Sequence, residues 1–275
     1  MIIVSFDIGL RTCSMACEEY PDGDTLDRPK VCYLTRTLEA TDDMKEYVKM
    51  VGEQGRVLHL EKRDLGDKKA FFADHAFRNL YAWCKEMHEH LSRADVVLIE
   101  QQMKCNNIAL ALMHHLQAYL LITYENKKVK LYPSKNKTRV LGAPLKVVED
   151  AKVVKVTKYQ RKKWSTMCAE DMLKRRKDDV WYKYIFEKNK SKKDDLSDVL
   201  MQTLSYVVQA RLDGVSSSSV DEVKPKKTTR KKKVEHQAED VVKVKRARKK
   251  KVEEAEQQVE AVVKVKRARR KAASV

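Results

Sequence analysis

The chain has 275 residues, room for one or two domains, and 36% of them are charged. Its net charge of +18 favours a polyanionic partner, with solubility as the alternative use of that charge. Mean hydropathy is −0.61, and no apolar run approaches the ~18–20 residues of a membrane span, so no membrane-spanning helix is expected.

Met1-Ile2-Ile3-Val4-Ser5-Phe6-Asp7-Ile8-Gly9 is an apolar run that predicts a strand buried on both faces. Asp7 ends it, where a charge is costly unless it is paired or metal-bound. The same aspartate interrupts the apolar start, so no signal peptide is expected. Cys13 to Glu18 predicts the second strand of a hairpin, Tyr20–Asp24 a turn, and Lys30–Arg36 a third, alternating strand. Asp42–Val51 reads as a short helix and Val57–Leu60 as a strand piece; residues 37–66 are otherwise unassigned.

From Lys69, the residues Phe72, Ala76, Leu80, Cys84, Met87 and Leu91, with Trp83 beside them, form one helical stripe. Its aromatics are either core or a base-stacking surface, and helical spacing favours core. Asp95–Gln102 then repeats the opening design, a short buried strand ending in an acid, Glu100. Ile108 to Tyr124 is a helix that Asn106 or Asn107 can cap. It is apolar nearly all round, so it is expected to be buried on more than one side. His114 and His115 within it read as packing rather than as metal ligands.

Lys128–Tyr132 predicts a further strand, followed directly by Pro133-Ser134-Lys135-Asn136-Lys137. This is a phosphate-holding basic loop or an ordinary solvated turn. Gly142-Ala143-Pro144 is a break, and Leu145–Thr157 is a loop or a short extended piece. Lys158-Tyr159-Gln160-Arg161-Lys162-Lys163-Trp164 interleaves basic and aromatic residues. That pattern suits a nucleic-acid backbone with an unstacked base, or a solvated helix start. It runs into a helix bearing Met167, Cys168, Met172 and Leu173.

Lys192-Lys193-Asp194-Asp195-Leu196-Ser197-Asp198 opens an amphipathic helix whose apolar face is Leu196, Leu200, Leu204 and Val207. Taken alone, Asp194 is its N-cap, and Asp195 and Asp198 decorate the first turn. Two buried strands ending in carboxylates change that balance. With Asp7 and Glu100, the helix pair makes a four-carboxylate cluster. Oxygen-only ligands suit Mg²⁺ or Mn²⁺, and paired ions about 3.5–4 Å apart serve in-line attack on a phosphodiester.

The Asp7-Ile8-Gly9 opening, the Ile99-Glu100-Gln101-Gln102 stretch, the Tyr132–Lys137 YPSKxK turn and the late KKDDLSD helix together resemble RuvC-type Holliday-junction resolvases. The likeness extends over roughly residues 1–212, in the branch of poxviruses and other large DNA viruses. It implies an α/β, RNase H-like mixed sheet flanked by helices, with Asp7, Glu100, Asp195 and Asp198 as catalytic metal ligands. Asp194 competes with Asp195 for its place. It further implies two Mg²⁺ (or Mn²⁺) per site and a homodimer to which the 108–124 helix contributes. The implied reaction is paired symmetric nicking of four-way DNA junctions, leaving 5′-phosphate and 3′-hydroxyl ends, in viral genome recombination or concatemer processing. Lys135, Lys137, Arg161, Lys162 and Lys163 are the candidate nucleic-acid contacts. Two other readings stand beside it: a non-catalytic DNA-binding or packaging protein, and a nuclease for other DNA or RNA–DNA substrates.

The expected domain is 1–214, followed by a disordered basic tail, 215–275. The tail holds 20 basic and 9 acidic residues, and its block Val241–Lys249 recurs at Val262–Arg270. Such an arm binds nucleic acid electrostatically or directs nuclear import. The six cysteines lack zinc-finger spacing and read as reduced thiols, which points to an intracellular site: the nucleus or a cytoplasmic viral replication site.

Overall fold

The computed structural model describes residues 1–23, 26, 41–144, 146–149 and 152–213. The expected strand Lys30–Arg36 and the tail 215–275 lie outside the described residues. Strand β1 (Ile2–Asp7) pairs antiparallel with β2 (Cys13–Glu19), and β2 pairs antiparallel with β3 (Arg56–Arg63). On its other side β1 runs parallel to β4 (Val96–Gln101), and β4 parallel to β5 (Lys128–Pro133). The strand order is β3-β2-β1-β4-β5, an antiparallel meander extended by two parallel strands. Helices cover both faces, and the sheet is RNase H-like. Within the span 145–157, expected as a loop or short extended piece, β6 (Lys146–Glu149) pairs antiparallel with β7 (Lys152–Lys155).

Alternation along the central strands divides the core in two. Val4, Phe6, Val97 and Ile99 face α3 (His75–Glu86), α4 (His88–Arg93) and α5 (Asn107–Thr123). Ile3, Val96 and Leu98 face α1 (Asp42–Glu53), α7 (Lys158–Arg175) and α9 (Lys193–Asp213). β3 was legible only as a piece because its pairing shifts between Cys17 and Glu18. The extra residue lets Val57 and Leu60, three apart, face one core, which strict alternation forbids.

The single helix expected from Lys69 to Leu91 is instead three: α2 (Lys68–Phe72), α3 and α4. Asp74 breaks the run in a left-handed conformation (φ 61°), which aspartate tolerates better than most residues, and the chain leaves α3 at Met87. Phe72 is consequently 79% exposed, whereas Trp83 is fully in the core. Asn106 caps α5 by accepting from the Ala109 amide. α5 buries one face, with Leu112 and Leu116 fully covered, and leaves Leu121 and Ile122 48% and 77% exposed. Among the described residues the expected burial on more than one side is therefore not met, because the sheet offers α5 a single face. His115 stacks on Phe77 at 4.0 Å and hydrogen-bonds Tyr81, a packing role. Among the described residues, no helix is long and apolar enough to cross a membrane.

One close approach fixes how α1 meets the rest. A Cβ at Gly55 would strike the Arg176 guanidinium and lie 2.6 Å from the Tyr20 ring. Gly55→Ala should therefore destabilise the protein by about 1–3 kcal/mol in a denaturant titration, because both neighbours are pinned by hydrogen bonds. Unchanged stability would show that the segment shifts freely.

Candidate active site

The parity that builds the core also aims the acids. Asp7 lies two and four residues beyond Ser5 and Ile3, and Glu100 two and four beyond Leu98 and Val96, so both point toward α9. The β1–β4 register runs from Ile3 opposite Val96 to Phe6 opposite Ile99. One further step sets Asp7 beside Glu100 at the carboxyl ends of parallel strands. Burial, then the Glu100 charge, raises the Asp7 pKa well above the usual carboxylate range.

α9 crosses this end of the sheet. Its early residues Leu196, Val199 and Leu200 are buried, which anchors the first turns and aims Asp198 toward Lys137. Lys137 sits on α6 (Ser134–Val140), so the expected Pro133–Lys137 loop is a short helix running directly out of β5. Its side chain is only 7% exposed, and its ammonium lies 3.2 Å from Asp198 Oδ2 and 3.9 Å from Glu100 Oε1. Burial opposes that charge, but Asp198, Glu100 and Asp7 outweigh it and raise the Lys137 pKa. Lys137 thus lies inside the acid cluster rather than on the open surface expected of a phosphate contact.

Asp194 and Asp195 belong to a neighbouring group. Both lie within the first turn of α9, so Asp194 is not the expected N-cap. Lys162 of α7 reaches Asp194 Oδ2 at 2.6 Å and Asp195 Oδ1 at 3.4 Å. Against the cost of burial, the Lys162 hydrogen bond lowers the Asp194 pKa; burial and the Asp194 charge raise that of Asp195. Asp195 is the more covered of the two, 18% exposed against 34%. Ser165, one turn beyond Lys162, donates to Asp198 Oδ1 at 2.7 Å. No sequence pattern marks this serine, since its role arises only where α7 packs on α9. Lys135, Arg161 and Lys163 are exposed, as a nucleic-acid contact requires, and Tyr159 beside them is 76% exposed.

Proteins with known sequences and structures resemble the chain to different depths. No protein-family model matches it. A curated relative, Uncharacterized protein 97L of Invertebrate iridescent virus 3, is 38% identical over 115 residues. That match covers 42% of this chain and 49% of the relative, so the chain spans about half the length of the curated relative it matches. Among solved structures, the Fowlpox virus resolvase in complex with Holliday junction DNA is 16% identical. It matches 77% of this chain and 99% of its own, with a TM-score of 0.46. Thermus thermophilus RuvC is 13% identical over 78% of this chain and 97% of its own, with a TM-score of 0.45.

As placed, no three His, Cys, Asp or Glu side chains among the described residues converge as a ready ligand set. The residues nonetheless fit a divalent cation. Their donors are all oxygen, and Asp7, Glu100 and Asp198 share the single buried ammonium of Lys137. That balance leaves net negative charge in a desolvated pocket, which a cation offsets. An apolar cavity of about 450 Å³, lined by Trp164, Met172 and Leu204, contains none of these acids.

Proposed function

We propose that the chain is a metal-dependent, structure-selective endonuclease that resolves four-way DNA junctions. The observation that carries the reading is the grouping of Asp7, Glu100 and Asp198, from two strands and a helix, around the buried Lys137 ammonium at one end of an RNase H-like sheet. Asp7, Glu100 and Asp198 would hold Mg²⁺ or Mn²⁺, with Asp195 the fourth ligand once Lys162 releases it, two ions to a site. Bound there, the cations would supply activation of the attacking water and stabilisation of the leaving 3′ oxygen. Lys137 keeps the acids close together before the cation arrives. Lys135, Arg161 and Lys163 seat the phosphates on either side of the cut, and Lys162 exchanges its carboxylate partners for a phosphate. The basic tail would add affinity that depends on salt but not on sequence. The reduced cysteines suit an intracellular viral replication site or the nucleus.

The decisive experiment offers labelled four-way junction, plain duplex and RNA–DNA hybrid to the full chain in Mg²⁺. Paired symmetric nicks on the junction, ending in 5′-phosphate and 3′-hydroxyl, are expected. Binding without cleavage would make it a non-catalytic DNA-binding or packaging protein. Preferential cutting of the hybrid or duplex would keep the chemistry and replace the substrate.

Paired nicks call for two sites in a fixed relation, which a two-fold homodimer supplies. The face of α5 away from the sheet, with Leu121 and Ile122 exposed, is the surface we assign to that contact. Leu112 and Leu116 are already committed to the chain's own core and are unsuitable probes. Ile122→Glu should halve the mass in solution, keep the circular-dichroism spectrum of the folded chain and turn paired nicks into single ones on a supercoiled cruciform. A variant that still makes paired cuts as a dimer rules this face out.

A further inference from the structure

We propose that Ser165 is a positioning residue that sets the orientation of Asp198; the proposal rests on the carboxylate reading above. Ser165 is 1% exposed, and its hydroxyl crosses from α7 to α9 to donate to Asp198 Oδ1 at 2.7 Å. Lys137 meets the other oxygen, Oδ2, at 3.2 Å. A carboxylate held at both oxygens has no freedom to rotate about its Cβ–Cγ bond, so its remaining lone pairs keep one direction.

The serine's choice of partner is informative. A serine or threonine inside a helix ordinarily bonds the carbonyl four residues back. Thr166 does so, donating to the Lys162 carbonyl at 2.9 Å. Ser165 has the same option, yet it reaches across to α9. Nor does packing ask for a hydroxyl there, because the same buried face of α7 continues as Ala169, Met172 and Leu173. α7 is therefore polar toward α9 only where α9 carries its acids, with Lys162 on Asp194 and Asp195 and Ser165 on Asp198. Partners that orient metal-binding carboxylates act in this way, and their loss typically weakens metal affinity or activity about 10–100-fold.

The test compares full-length wild type, Ser165→Ala, Ser165→Cys and Asp198→Asn. Mn²⁺ binding is read by electron paramagnetic resonance without DNA, junction affinity in chelator, and kcat across a Mn²⁺ series. Ser165→Ala is expected to bind Mn²⁺ about 10–100-fold more weakly, to hold the junction as wild type does and to recover kcat at high Mn²⁺. Ser165→Cys, which keeps the volume and a weak donor, should fall between; it is read on the same criteria if the alanine variant does not fold. Wild-type Mn²⁺ affinity and kcat in the serine variants, alongside their loss in Asp198→Asn, overturns the role of Ser165 alone. Full Mn²⁺ binding by Asp198→Asn overturns the carboxylate reading itself.

Discussion

Asp7→Asn should cut junction cleavage about a thousandfold or more while raising thermal stability at neutral pH. The first effect follows from the proposed metal site, which would lose a charged ligand at the strand end: about 4 kcal/mol of transition-state stabilisation corresponds to roughly three orders of magnitude in rate. The second follows from Asp7's surroundings. Burial and Glu100 raise its folded pKa well above the unfolded value, so between those two values the folded state binds more protons than the unfolded one. Stability therefore falls as pH rises through that window, and above the unfolded value burying Asp7 is a net cost. Asparagine does not titrate and its amide can donate to Glu100. Its advantage should be present at neutral pH and vanish in acid, below the unfolded pKa. Melting curves from acid to neutral pH without divalent ions, with cleavage in Mg²⁺, measure both. An Asp7→Asn protein that melts lower than wild type at neutral pH, or cleaves at the wild-type rate, contradicts the account.

Arg176→Met should cost about 3–5 kcal/mol, because it strands a buried carboxylate. Glu18 is 0% exposed on β2, and Arg176, 3% exposed at the end of α7, meets its Oε1 at 2.8 Å. The same guanidinium donates to the Gly52 carbonyl at 2.7 Å and the Tyr20 hydroxyl at 2.9 Å, tying α7 to the sheet and to α1. Burial still raises the Glu18 pKa despite this partner, so the ionised form is expensive even when paired. In a domain of this size the loss amounts to a melting temperature lower by roughly 10 °C. Glu18→Gln combined with Arg176→Met should recover much of it, since no lone charge remains buried. A double variant no more stable than the single one would mean that the hydrogen bonds to Gly52 and Tyr20, rather than the charge pair, carry the effect. Because α7 also carries Lys162 and Ser165, the single variant should weaken cleavage as well, by loosening the helix that holds the acids of α9.

Several elements were legible because one local pattern determines them. β1 and β4 are apolar runs that only a doubly covered strand explains, and each carries its acid at its carboxyl end. The caps of α1 and α7 went unread in the sequence: Thr41 accepts from the Met44 amide, and Thr157 and Gln160 form a capping box. Other elements failed where a local pattern has two outcomes. The stripe from Phe72 to Leu91 keeps helical spacing across breaks at Asp74 and Met87, since spacing records which residues are apolar and not whether the backbone is continuous. β3 hid behind its bulge, and α5 read as buried on more than one side because apolar residues on its outer face look the same whether or not anything covers them.

By itself, then, the sequence determined the central strands, the late acidic helix and the placing of Asp7 and Glu100 at strand ends, because these depend on alternation and helical period along a single segment. Only the tertiary structure decided how the charges are shared. It drew Lys137 in between Glu100 and Asp198, gave Asp194 and Asp195 to Lys162, and turned Ser165 onto Asp198. Each of those contacts joins residues far apart in the chain. Charged side chains adopt them only when packing has removed water from both partners, and no local propensity records that event.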